Sequence, residues 1–268
     1  MIEAFRLGAL GRAGTLWEGV DLSFGDGEVW LVAGPPSCGK TLLLAILRGD
    51  RRPEAGDVVV GGESLFRGTR RAVSSFRASV GLVPESFTPA DPAQRGRGAR
   101  TVGDLFRLSA IAAGGIPANE RMRREEELLA LVGLADRGAD AGGEAATSAA
   151  DGAHAWALSS LSLSERARVA LAAELLRNPK YLFADNLVAN AGRDWTDTLG
   201  ALFRALAREG RTIVVAERAV PDRWHAERAG DPAVSGPFAF YRLGAAPPEP
   251  KRSTLEWRPE EAGEEEQR

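Results

Sequence analysis

A single cysteine in 268 residues, Cys38, excludes any intramolecular disulfide. No apolar run approaches the eighteen or so residues that cross a bilayer, so the chain carries no evident membrane span. The opening Met1-Ile2-Glu3-Ala4-Phe5-Arg6 lacks the basic-then-apolar plan of a secretory leader. Lys and Arg total 34 against 37 Asp and Glu, a net charge of −3. That balance gives no basis for a general nucleic-acid or anionic-membrane surface. The two histidines, His154 and His225, are isolated and nominate no metal site, and His154 is expected to be solvated. Together these absences point to the cytoplasm. Any role at a membrane must then be exerted through another chain.

What is present centres on residues 34–41, Gly-Pro-Pro-Ser-Cys-Gly-Lys-Thr. The octet fits G-x-x-x-x-G-K-[ST]. An apolar strand precedes it, Val29 to Ala33, and an apolar helical run follows, Leu42 to Leu47. Glycines let a loop wrap closely around phosphates, while backbone N–H groups and a helix N-terminus supply positive potential. On this reading Gly34, Pro35, Pro36, Ser37, Cys38, Gly39, Lys40 and Thr41 form the phosphate cradle. Lys40 reaches the β- and γ-phosphates, and Thr41 ligates Mg²⁺. The competing reading is a Gly-rich strand-to-helix turn that binds nothing. Cys38 reads as a small loop filler, with a redox switch as the alternative because it neighbours Lys40 and a helix N-terminus.

Around this loop the pattern is mixed. Short strands are expected at Ile2–Leu7, Gly19–Phe24, Glu28–Ala33 and Asp57–Val60, and a buried one at Ser79–Val83. Residues 101–135 carry helical spacing, and Ser164–Asn178 is a helix ended by Pro179. Lys180–Ala184 and Arg211–Ala216 are buried strand candidates. Thr88–Arg100 and Arg137–Ala155 read as mobile stretches, and the Pro- and Glu-rich tail at 246–268 as a flexible end.

A second motif narrows the class. Leu161-Ser162-Leu163-Ser164-Glu165-Arg166-Ala167-Arg168-Val169 resembles the L-S-G-G-Q-x-x-R-V signature of ABC-type ATPases. Tyr181-Leu182-Phe183-Ala184-Asp185 resembles the family's Walker B strand, Val83-Pro84-Glu85 its Q-loop, and Thr101-Val102 the opening of its helical subdomain. The resemblance covers roughly residues 1–220 and is nearest the branch with FtsE-, LolD- and MacB-like ATPases. It implies an α/β P-loop NTPase core with an antiparallel β-subdomain, a nucleotide-binding domain over 1–245 and a helical subdomain at about 86–160. It implies ATP and Mg²⁺ as cofactors, with Ser162 on nucleotide and Thr41, Asp185 and Glu85 on the metal. It further implies dimerisation with itself or a paralogue, and an integral membrane protein subunit as partner, with this chain peripheral on the inner face of the membrane.

Several positions depart from the resemblance. Asn186 stands where the family has a catalytic Glu, and an amide cannot take a proton from water. Glu217 stands at the switch His, where a carboxylate repels a γ-phosphate. Leu163-Ser164 replaces Gly-Gly, and Glu165 and Glu85 replace glutamines. Ala189-Asn190-Ala191-Gly192 lacks the D-loop Asp. No adenine-stacking aromatic stands near Leu10 to Arg12, with Phe5 or Trp17 the nearby candidates. The expected outcome is a degenerate cassette with its binding half intact and weak or absent hydrolysis, with no confident catalytic residue. An inert scaffold and an active ATPase using atypical residues are the alternatives.

Overall fold

In the computed structural model the described residues are 1–11, 14–85, 99–135, 149–221, 224, 238–243 and 255–256. They fall into two compact units: residues 1–80 with 180–186 and everything from 194 onward, and residues 81–179 with 187–193.

The first unit opens with two long strands, β1 (Ile2–Gly11) and β2 (Gly14–Phe24), paired antiparallel. With β4 (Ala55–Val60) and β5 (Glu63–Ser64) they form a four-stranded antiparallel sheet in the order β2-β1-β4-β5. Ile2, Ala4, Leu7, Ala9, Trp17, Val20, Leu22 and Phe24 are buried, while Glu3, Phe5, Leu10 and Glu18 lie between them and stay out of the core. That alternation is the one-sided pattern of an antiparallel sheet. Both strands run longer than the sequence indicates, and the register of β1 shifts repeatedly against β2. These bulges break the strict two-residue period that would have marked their full length.

The second sheet of this unit is parallel. β3 (Val29–Ala33) pairs with β8 (Thr212–Glu217), β8 with β7 (Tyr181–Asp185), and β3 on its other side with β9 (Phe238–Leu243). Every residue of β3, β7 and β8 is buried, which is why these strands read as continuous apolar runs rather than alternations. β10 (Leu255–Glu256) pairs antiparallel with Leu243 and Arg242 of β9. The rest of the tail lies outside the described residues.

Helix α1 (Lys40–Leu47) leaves the end of β3 through the Gly-rich loop and buries Leu43, Leu44, Ile46 and Leu47. Helix α2 (Arg70–Ser79), capped by the Thr69 hydroxyl, has no counterpart in the sequence reading. Phe76 is its one buried residue, with Ala72 and Val73 half-buried beside it, a short stripe that three arginines and three serines obscure in the sequence. In this unit α8 (Thr196–Arg208) buries Leu199, Phe203 and Leu206.

The second unit is mainly helical after the short strand β6 (Val80–Val83). It holds α3 (Val102–Ala112), α4 (Ala118–Leu131), α5 (Ala149–His154), α6 (Leu163–Leu176) and α7 (Leu187–Ala191). Helix α6 is buried almost all round, and α4 packs on it. Arg168 of α6 donates to the Val132 and Gly133 carbonyls just beyond α4, satisfying that helix end.

His154 is not solvated as expected. Its Nε2 lies 2.7 Å from Oε2 of Glu125, a fully buried carboxylate on α4 that also faces Arg121 Nε at 3.3 Å. The pairing joins positions 29 apart, which local pattern cannot anticipate. The stretch read as mobile at 137–155 ends in helix α5, and residues 136–148 lie outside the described residues, as do 86–98 and His225.

Candidate functional site

The site in the first unit is built where three parallel strands end. β3 delivers the chain into the loop, β7 ends in Asp185, and β8 ends in Glu217. Clefts beyond the carboxyl ends of parallel strands are where α/β sheets bind ligands. Ala33 is in register with Glu217, and the Gly34 N–H donates to the Glu217 carbonyl at 3.1 Å. Gly39 caps α1 with φ 97°, a left-handed conformation that a side chain resists. Ser37 also takes positive φ.

Two sequence-distant residues meet here. The Thr41 hydroxyl donates to Asp185 Oδ2 at 2.5 Å, bridging 144 positions. These are hard oxygen donors, side by side, of the kind Mg²⁺ takes, so the pair fits the ion that the sequence reading assigned to them. Lys40 is 9 % exposed, and its Nζ donates to the Gly34 carbonyl at 2.7 Å and the Pro35 carbonyl at 2.9 Å. The loop's own carbonyls thus pair its lysine. Cys38 is buried with its Sγ 3.8 Å from Lys40 Nζ.

Asn186 and Glu217, which the sequence reading set apart as departures from the resemblance, both belong to this strand-end cluster. Asn186 has φ 54° and its N–H donates to the Ala216 carbonyl at 2.7 Å. Glu217 is 3 % exposed. Of the aromatic candidates for stacking on a base, Phe5 is half-exposed on the antiparallel sheet. Trp17 is wholly buried, so neither of its faces is open to a base in this conformation.

Ser162 and Glu85, the other predicted ligands, belong to the second unit. Ser162 starts α6 through a reciprocal cap. Its hydroxyl accepts from the Glu165 N–H at 3.2 Å, and the Glu165 carboxylate accepts from the Ser162 N–H at 2.8 Å. The signature's Gln position is thereby turned into the negative half of a capping box. The Ser164 hydroxyl donates to the Ala191 carbonyl at 2.6 Å, and Asn190 Nδ2 donates to the Glu85 carbonyl at 2.6 Å. Among the described residues no group of three His, Cys, Asp or Glu side chains is gathered as a metal site, and no helix is long and apolar enough to cross a membrane.

Comparison with known proteins follows the same lines. The profile of the family described as ABC transporter matches residues 17–189. An uncharacterized ABC transporter ATP-binding protein of Thermotoga maritima is 33% identical over 198 residues, covering 74% of each chain. The methionine import ATP-binding protein MetN of Leifsonia xyli is 31% identical over 200 residues, which is 74% of this chain and 52% of that protein. The chain thus spans about half the length of the MetN relatives it matches. Among solved structures, the dimeric bacterial ABC transporter cassette MJ0796 superposes with a TM-score of 0.66 at 19% identity, over 91% of this chain and 94% of that one. CbiO1 of Clostridium perfringens, part of the ABC transporter complex cbiONQ, gives 0.59 at 20% identity, over 81% and 78%. At these identities the likeness is one of fold.

Proposed function

The chain belongs to the ABC transporter family as an ATP-binding domain, and we propose that it is a degenerate cassette that binds Mg-ATP with little or no turnover and acts on a membrane partner. The observation that carries the proposal is the Thr41–Asp185 contact beside Lys40, because it assembles the nucleotide- and metal-binding half of the site from both of its sequence motifs. Gly34 to Thr41 take the phosphates, and Thr41 and Asp185 hold Mg²⁺. The helical subdomain is assigned to about 86–160, and the lineage to the FtsE-, LolD- and MacB-like branch.

Weak hydrolysis is argued from Asn186 and Glu217. Loss of a general base costs about 10²–10⁴-fold, and a carboxylate at the γ-phosphate adds to that loss. Steady-state phosphate release from the purified chain tests this. The wild type is expected at background, with Asn186→Glu plus Glu217→His recovering activity. A wild-type rate of about 1 s⁻¹ or more, within the ordinary enzyme range, overturns it.

MetN is by its name a methionine import protein, and CbiO1 is part of a transporter complex. Those relations support a partner that spans the membrane, with this chain peripheral on its cytoplasmic face and paired with a second cassette.

A further inference from the structure

Trp17 is, with Trp224, one of the two largest fully buried side chains among the described residues, and its indole Nε1–H has no hydrogen-bond partner among them. Buried donors are almost always paired, so an unpaired one at a ligand site asks for an acceptor. Its position is specific. A Cβ placed on Gly39 would lie 2.6 Å from Trp17 Nε1 and 3.1 Å from Leu16 Cδ1. The indole nitrogen therefore points at the one residue of the phosphate loop that caps α1, in space left by the missing side chain. Gly39 holds φ 97° there, so the loop can neither carry a side chain nor tolerate one against the indole.

The loop's own hydrogen bonds give the complementary half. Lys40 Nζ occupies the Gly34 and Pro35 carbonyls. When a phosphate chain enters, Lys40 turns to it, and the loop rearranges around new anionic oxygens. Trp17, on β2 beside the loop, is a buried donor with no acceptor, and phosphate oxygens are acceptors.

We infer that Trp17 is a nucleotide-binding residue beside the phosphate loop, whose indole N–H acquires its acceptor, an oxygen of the nucleotide's phosphate chain, when the loop is loaded. This rests on the nucleotide-binding reading above and adds to it a recognition group outside the 34–41 motif. The indole plays no stacking role. It contributes a hydrogen bond that exists only in the bound state, and in the free state it is a polar group buried at a cost.

The two consequences have opposite sign, which separates the inference from a mere packing role. Trp17→Phe keeps an aromatic ring and deletes the donor. It is expected to hold or raise the unfolding midpoint of the ligand-free chain, since an unpaired buried N–H disappears. It is also expected to weaken ADP binding by about tenfold, the order of a hydrogen bond to a charged acceptor. The direct readout is the indole N–H resonance in the ¹⁵N-labelled wild-type chain, assigned among its six tryptophans by Trp17→Phe or, should that variant not fold, Trp17→Tyr. ADP and pyrophosphate are each expected to move it downfield, and adenosine to leave it in place. A Trp17 resonance unmoved at ADP saturation, or unchanged ADP affinity in Trp17→Phe, overturns the inference while leaving nucleotide binding standing. A wild-type chain that binds neither ADP nor ATP at millimolar concentration removes the nucleotide reading and this inference with it.

Discussion

The Thr41 hydroxyl and the Asp185 carboxylate lie 2.5 Å apart, at the head of helix α1 and the end of strand β7. The contact pins the phosphate loop to the sheet at the place where a divalent ion would take both groups as ligands. Thr41→Val is expected to leave the fold intact and to cut the Mg²⁺-dependent gain in nucleotide affinity by about 10–100-fold, as loss of a metal-site group does. Titration of labelled ATP with and without Mg²⁺ checks this, and an unaltered Mg²⁺ dependence would contradict the assignment.

Glu125 carries a second expectation. Its carboxylate is buried, while Arg121 and His154 are each about a quarter exposed. Removing either partner leaves the buried carboxylate one contact short, whereas removing the Glu leaves side chains that water can reach. His154→Ala and Arg121→Ala are therefore each expected to cost about 1–3 kcal/mol, the range for a buried polar group that loses a partner. Glu125→Leu is expected to cost less than either. Urea unfolding of the three variants checks the order.

Asp104 supplies a pH-dependent test. Its carboxylate accepts from the Arg100 and Thr101 N–H groups at the head of α3, and these bonds, the Arg100 one foremost, hold its pKa below the ordinary 3.8. A carboxyl depressed in the folded state stabilises above its unfolded value and loses that contribution as pH falls through the folded one. Asp104→Asn should thus destabilise at neutral pH, and the difference from wild type should vanish in acid below the depressed value. Thr101→Ala, which removes the other half of the capping box, is expected to cost about 1 kcal/mol at any pH. Chemical unfolding across pH measures both.

We propose that residues 88–100, of which 88–98 lie outside the described residues, take part in docking a membrane partner. The stretch carries Arg95, Arg97 and Arg100, suited to an acidic loop or lipid headgroups. Deleting Ala90 to Gly98 is expected to lose a membrane partner in pull-downs from solubilised membranes. Retention of every partner by the deletion would remove this segment from the interface.

How much of this was legible beforehand follows from the range of each interaction. The phosphate loop is local, since eight consecutive residues and their flanking apolar runs carry all of it, and it stands at the β3–α1 junction as read. Asp185 was placed by the resemblance of Tyr181 to Asp185 to a Walker B strand, and β7 ends on it. Helix α2 went unseen because its short stripe of Ala72, Val73 and Phe76 is set among arginines and serines. The reciprocal Ser162–Glu165 cap was hidden inside a motif read for its resemblance, although S-x-x-E is itself a capping signature. His154 with Glu125, and Trp17 beneath Gly39, depend on which elements come to lie together, and no local pattern encodes that.

The central claim is that the binding half of an ABC-type site persists in this chain, and one titration tests it most directly. A labelled ATP analogue with Mg²⁺ is added to the purified full chain and to Lys40→Ala. Saturable binding by the wild type, lost or strongly weakened in Lys40→Ala, is the predicted result. Absence of saturable binding at millimolar nucleotide, or equal affinity in the two proteins, would contradict it.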